Sequence, residues 1–247
     1  MWNEIGPGFR LMVVFTILTG LIYPAITTGL SAMIFPKQAN GSLVTVEGKV
    51  VGSELIGQNF SKSEYFHPRP SSAGSGYDAT QSGGSNLGPT SAKLLRGTTK
   101  VDDKKNEVVD FEGINLRIIH YCLDNDIPYD SSVPLDSFKD AKGDLDDVKL
   151  IKAFNDDKNP LQFRAKQDIP ADAVTASASG LDPHISPANA QIQAARVAKA
   201  RNVSREQIEQ AIAKATQQPD LGFLGEPRVN VLLLNIALDQ QYAVVKH

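Results

Sequence analysis

Apolar and polar positions divide this chain at its start. From Leu11 to Phe35 it reads LMVVFTILTGLIYPAITTGLSAMIF, 25 residues without a charge. As a helix that run would be roughly 37 Å long, against about 30 Å for the hydrocarbon core of a bilayer. Arg10 and Lys37 bracket it, and each side chain can snorkel to an interface. The run predicts a single N-terminal transmembrane helix. A cleaved leader and a buried helix of a soluble fold are the rival readings, but a leader has a shorter apolar region and an Ala-x-Ala-like site, which Ser31-Ala32-Met33 supplies poorly. Thr16, Gly20, Pro24 and Thr28 recur every four residues. Small residues on one face let another helix approach closely, so these four are a candidate packing face; the alternative is a lone anchor of ordinary Gly and Thr content. Pro24 is expected to kink the span. Flanking charge is nearly a tie, and the short N-terminal tail favours an outside location for everything that follows.

Beyond Lys37 the pattern becomes that of a water-exposed domain. Leu43–Val46 and Lys49–Val51 are β-prone runs around Glu47-Gly48, which predicts a hairpin. Residues 61–91 are rich in Ser, Gly and Pro yet contain Tyr65, Phe66, His67, Arg69 and Tyr77. A flexible linker would be poor in aromatics, so an ordered loop anchored by them is expected. Glu112–Leu123 places Ile114, Ile118, Ile119 and Cys122 at helical spacing, and Val148–Phe154 is a shorter helix candidate. Ala173–Ser177 reads as a strand. Ser186 followed by Pro187 marks a helix start, with Ile192, Ala195, Val197 and Ala198 as its apolar surface to about Ala200. Ser204-Arg205-Glu206-Gln207 is a capping-box sequence opening a further helix to about Thr216. Val229, Leu232, Leu233 and Ile236 fit a last helix, with a buried strand over Val229–Leu234 as the rival. The expected architecture is the span followed by an α/β (or α+β) extracytoplasmic domain. Its expected divisions are tail and span at 1–36, hairpin and Ser/Gly-rich loop at 37–96, an acidic insertion at 97–166, and a C-terminal α/β part at 167–247.

Charge and composition narrow the chemistry. A net charge of −3 argues against nucleic acid as the main partner. Segment 97–166 holds 15 acidic against 11 basic residues and reads as a partly ordered, solvated surface. Cys122 is the single cysteine, so no intrachain disulfide forms. The sequence contains no phosphate-binding G-x-x-x-x-G-K-[ST] loop, no Asp-Lys-Thr-Gly phosphorylation site, no potassium filter and no G-x-S-x-G elbow. His67, His120, His184 and His247 lack metal-ligand spacing. These absences speak against a motor, a pore or a zinc enzyme. Two loops remain. Asp182-Pro183-His184-Ile185-Ser186 holds the residue types of a hydrolase triad, but triad members normally come from distant positions; a rigid turn in which Asp182 and Ser186 satisfy backbone donors is the structural alternative. Ser82-Gly83-Gly84-Ser85-Asn86 is a weak anion or nucleotide candidate through inward-pointing amides, against a plain glycine turn.

Several strings, in order, resemble the C subunit of the Kdp potassium-transporting P-type ATPase of bacteria and archaea. They are Tyr23-Pro24 in the span, GSELIGQ at 52–58, YFHPRP at 65–70, SGGSNLGP at 82–89, SGLDPHISP at 179–187 and LGFLGEPRVN at 221–230. The resemblance implies a non-catalytic accessory subunit of an ATP-driven, high-affinity potassium uptake complex in the plasma membrane. It implies three partners: a potassium-translocating subunit, a P-type ATPase subunit and a small single-span subunit. It also implies a role in stabilising assembly and in promoting ATP binding, with Ser82–Asn86 likened to a nucleotide-binding signature, although an outer domain would not meet cytoplasmic ATP. Within this reading ATP is used by the complex, potassium is the transported ion, no metal is bound, and Asp182, His184 and Ser186 form an interaction loop. Residues 97–166 exceed the family pattern, and removing most of 124–158 is expected to leave assembly intact. A membrane-anchored hydrolase or a free-standing binding module is the alternative.

Overall fold

The structure, a computed structural model, describes residues 2–243; His247 lies outside them. The chain divides into two compact units, residues 1–55 and 56–247.

The first unit is a long helix and a hairpin. Helix α1 (Trp2–Ile17) runs through one π turn (Leu18–Ile22) into α2 (Tyr23–Ile34). Within it, Ile5–Ile34 is long and apolar enough to cross a membrane, and none of its most apolar window is buried. The π turn has a local cause. Pro24 has no N–H, and in a regular α turn its ring would press on the carbonyl four residues back, that of Gly20. The wider turn before it, closed by the Tyr23 N–H donating to the Leu18 carbonyl, relieves that pressure. Thr19 and Thr27 return their hydroxyls to the Phe15 and Tyr23 carbonyls at 2.7 and 2.9 Å. After the short α3 (Pro36–Ala39), β1 (Leu43–Val46) and β2 (Lys49–Ser53) pair antiparallel around Glu47-Gly48, both at positive φ. That turn matches the strand twist, as a two-residue hairpin requires. Lys37 bonds Glu54 at 2.6 Å and Ser53 Oγ donates to the Gly41 carbonyl at 2.6 Å, closing the base of the hairpin.

The second unit holds two apolar cores. Helix α4 (Ala92–Arg96) leads into the hairpin of β3 (Thr98–Val101) and β4 (Glu107–Phe111), then α5 (Gly113–Asp124). Strand β5 (Tyr129–Ser131) pairs with β6 (Phe163–Ala165) across α6 (Asp147–Phe154). Leu116, Ile119, Leu135, Leu150, Ile151, Phe154 and Leu161 bury one another here. Segment 97–166, expected to be partly ordered, therefore folds around its own core, with its charges outside. On α5 the buried face is Leu116, Ile119 and Cys122, not Ile114 and Ile118.

The other core lies among α8 (Pro187–Arg201), α9 (Arg205–Ala215), α10 (Val231–Gln241) and a sheet ordered β7-β9-β8. The strands are β7 (His184–Ile185), β8 (Thr216–Gln217) and β9 (Arg228–Asn230). Both helix-start signals hold: Ser186 accepts from the Asn189 N–H, and Ser204 and Gln207 form a complete capping box. Two expectations fail. Ala173–Ser177 is not a strand; α7 (Ala171–Val174) is a single helical turn after Pro170, with the Thr175 hydroxyl on the Ala171 carbonyl at 2.6 Å. The region 229–234 is neither all helix nor all strand, because the Asn230 side chain accepts from the Leu233 N–H and starts α10 straight after β9. The apolar surface of α8 also differs, since Ala195 is exposed while Asn189, Gln193 and Arg201 are buried. All strand pairs among the described residues are antiparallel. The domain is therefore α+β, without the parallel sheet of an α/β fold.

Leu150 is fully buried in the core of the charged segment. Leu150→Ala is expected to destabilise the domain by about 3 kcal/mol, read as a lowered midpoint in denaturant unfolding. A loosely ordered surface segment would give a change within about 0.5 kcal/mol.

Candidate functional site

The loop from Asn59 to Pro89 covers the helical core, and side chains rather than strands hold it there. Phe66 is buried in the α8–α10 core. Its N–H donates to Asn235 Oδ1 at 2.8 Å, and its carbonyl accepts from Asn235 Nδ2 at 3.0 Å. The next residue is held the same way: the His67 N–H donates to Gln193 Oε1 at 2.7 Å and the His67 carbonyl accepts from Gln193 Nε2 at 3.1 Å. Each amide stands in for a neighbouring strand, whose donor and acceptor a buried backbone must otherwise find. Two arginines of α8 take the carbonyls just before. Arg196 Nη1 donates to Ser63 and Tyr65 at 2.7 and 3.0 Å, and Arg201 Nε to Glu64 at 2.7 Å. Arg201 is itself fixed by Asp239 at 2.8 Å.

Further along, the loop locks onto the segment before α8. Arg69 Nη1 lies 2.8 Å from Asp182 Oδ2, with about a quarter of each side chain exposed. Ser71 Oγ donates to the Gly180 carbonyl at 2.6 Å and the Tyr77 hydroxyl to the Arg69 carbonyl at 2.7 Å. Asp182 also accepts from the His184 N–H at 3.0 Å, and His184 Nδ1 is 3.5 Å away. Burial pushes the Asp182 carboxyl up, but the bonds from His184 and the guanidinium of Arg69 outweigh it, and the net displacement is downward. Burial pushes the Tyr77 phenol up.

These contacts place the residues singled out in the sequence. Asp182, His184 and Ser186 are neighbours but not a charge relay. The Ser186 hydroxyl donates to Asp172 Oδ1 at 2.9 Å rather than to His184, and accepts from the Asn189 N–H at 3.1 Å. In Ser82–Asn86, the Gly83 N–H is already donated to the Ser179 carbonyl at 2.8 Å and Ser82 Oγ to the same oxygen at 3.0 Å. A Cβ on Gly84 would stand 2.8 Å from the Ala178 carbonyl. Gly84 permits a close backbone contact, and an anion cradle would need the Gly83 amide free. In the long helix, a four-residue repeat drifts by about 40° per step. The π turn takes up an extra residue and sets the drift back by about 100°. Thr16, Gly20, Pro24 and Thr28 thereby come closer to one line than a regular helix would bring them, with open space over Gly20.

A cleft of about 440 Å³ opens between the loop and α5, lined by His67, Arg69, Tyr77, Arg117, His120 and Tyr121 among others. Arg117 is held by Glu112 at 2.8 Å and lies over the Phe111 ring. His120 Nε2 is 2.8 Å from Asp147 Oδ1, which raises its pKa against the opposing effect of burial. Burial, then the charge of Arg196, lowers that of His67. Among the described residues no three His, Cys, Asp or Glu side chains converge on one point as metal ligands would.

Comparison with known proteins decides the family. Residues 5–115 and 142–240 match the family model described as K+-transporting ATPase, c chain, KdpC. The chain belongs to the KdpC family. Potassium-transporting ATPase KdpC subunits of Mycobacterium tuberculosis (strain ATCC 25618 / H37Rv) and Beijerinckia indica are each 41% identical to it. The first match runs over 240 residues, 97% of this chain and all of the relative; the second over 244, 99% and 97%. The KdpC subunit of Caulobacter vibrioides is 43% identical over 243 residues, 98% of this chain and 95% of the relative. As a KdpC-family chain it is a membrane-associated subunit of the potassium-transporting ATPase. The KdpC match is interrupted only between 115 and 142, a narrower stretch than 97–166. Sequence reasoning missed the amides and arginines that hold the loop. Their signal was a set of polar residues, Asn189, Gln193 and Arg201, on the same helix face as Ala190, Ala194, Val197 and Ala198.

Gln193→Leu keeps the shape but strands the His67 N–H and carbonyl. It is expected to lower stability by about 2 kcal/mol, measured by denaturant unfolding. The His120–Asp147 pair gives a second test. His120 holds its proton more tightly when folded, so its contribution is complete below about pH 6.5 and is lost as pH rises through the raised value. Asp147→Asn is expected to remove that slope, seen when the unfolding midpoints of the two proteins are compared from about pH 5.5 to 8.5.

Proposed function

We propose that the chain is a non-catalytic accessory subunit that stabilises a Kdp-type, ATP-driven, high-affinity potassium uptake complex. In this reading the Ile5–Ile34 helix spans the plasma membrane once, with the domain on the extracytoplasmic side. Its Thr16, Gly20, Pro24 and Thr28 face packs against the potassium-translocating subunit, with the P-type ATPase subunit and the small single-span subunit completing the complex. The observation that carries the reading is the apolar helix, none of whose most apolar window is buried, with open space over Gly20 and the π turn bringing the small residues closer to one line. Such a face gains dispersion contact from a partner helix that lipid chains supply less well. The domain supports the same reading, because the polar groups of its distinctive loops are turned inward. Arg69, Ser71, Ser82 and Gly83 bond other parts of the domain, and Ser186 serves Asp172 and a helix cap. Ser82–Asn86 is accordingly assigned a structural turn, and ATP is handled by the ATPase subunit.

Purification from membranes in mild detergent tests this. The pump subunits are expected to copurify at equal stoichiometry. Gly20→Leu is expected to reduce their recovery about tenfold while the midpoint of domain unfolding stays put. Recovery of the unaltered chain alone, under conditions that keep other complexes whole, would overturn the reading.

A further inference from the structure

The loop joining β8 to β9 carries the most exposed large apolar side chains among the described residues of the second unit. Leu221 is 83% exposed, Phe223 74% and Leu224 49%. Elsewhere in that unit the exposed large apolar side chains, such as Leu95, Val101 and Leu123, stand singly, as on any soluble surface. Three within four residues form a patch.

The loop is also held in shape. Asp220 and Leu224 pair through two backbone bonds of 2.9 Å, and the Gly222 N–H donates to the Pro219 carbonyl at 3.0 Å. Arg228 reaches Asp220 at 3.7 Å. Leu221 itself sits at φ 56, the left-handed region in which a bulky non-glycine residue is a true outlier. A turn of this kind asks for Gly or Asn at that position, not for Leu, and it asks for no apolar side chain at its tip. The fold therefore gains nothing visible from Leu221 and Phe223.

Charge discriminates between occupants. The tip is flanked by Asp220 and Glu226 against Arg228, a net charge of −1. An anionic lipid surface attracts basic segments, not acidic ones. An apolar pocket with a basic rim on another protein matches both the tip and its flanks. The neighbouring groove is polar and carries Arg69, Asp182, His184 and Glu226, so the tip stands beside groups able to form the polar rim of an interface.

We propose that the Asp220–Arg228 loop is a preformed docking finger, with Leu221 and Phe223 as anchors in an apolar, basic-rimmed pocket of another protein subunit of the pump. This deepens the subunit reading and rests on it. A rigid loop binds without the ordering entropy that a flexible one would lose, which gives the left-handed Leu221 a purpose.

The test uses the full chain co-expressed with its pump partners. Phe223→p-benzoylphenylalanine is irradiated in membranes, the complex is purified, and adducts are identified by mass spectrometry. The expected result is a covalent adduct with another pump polypeptide. Leu221→Asn, which suits the left-handed backbone but removes the anchor, is expected to lower adduct yield about tenfold with the domain still folded by circular dichroism. An intact complex without a protein adduct, or with adducts to lipid only, would overturn the docking finger and leave the subunit reading standing. Recovery of the chain without pump subunits would instead overturn both.

Discussion

The domain depends on side chains that do the work of a missing strand. Residues 63–67 run across the α8–α10 core without a β partner, yet the N–H groups of Phe66 and His67 and the carbonyls of residues 63–67 are taken by Asn235, Gln193, Arg196 and Arg201. Buried backbone groups left without partners would each be destabilising by about 1–3 kcal/mol. The consequence reaches outward. With Phe66 fixed in the core, Arg69, Ser71 and Tyr77 arrive at Asp182 and Gly180 in register, and the Ser82–Asn86 turn is laid against Ser179. The walls of the cleft and the position of the 182–186 turn follow from that attachment.

The same attachment sets the hydrogen bonding of the two loops singled out in the sequence. The Ser186 hydroxyl donates its hydrogen bond to Asp172 rather than to His184. A phosphate cradle needs unpaired amides, and that of Gly83 is paired. Two exposed apolar surfaces lie outside this bonding, the Ile5–Ile34 helix in one unit and the Leu221–Leu224 tip in the other. For a subunit of a larger assembly this division is physically sensible, because polar bonds fix each unit internally and apolar faces are satisfied by neighbours.

Much of this was legible along the chain. The apolar run needed only length and the absence of charge. The hairpin needed Glu47-Gly48, and the starts of α8 and α9 needed Ser186-Pro187 and Ser204 with Gln207, because such signals act within a turn of their own position. Interleaved family strings identified the family without any fold at all. Periodicity did less well where packing was two-sided or polar. Ile114 and Ile118 lie on a helical stripe, but Leu116 and Ile119 face the core, since a helix so rich in apolar residues has more than one stripe to choose from. Segment 97–166 looked solvated because its charges are numerous, while seven apolar residues spread over 116–161 meet only in three dimensions.

Sequence alone therefore determined the membrane-spanning candidate, the local caps and turns and the family, all of which depend on contiguous residues or on long matched strings. Tertiary structure decided that the strand pairs are antiparallel, that the charged segment has a core, that Gln193 and Asn235 pair with a backbone more than a hundred residues away, and that Ser186 serves Asp172. The reason is that hydrogen bonding and packing are set by distance in space. A buried amide and an exposed one are the same letter in sequence, and only the fold shows which carbonyl it reaches.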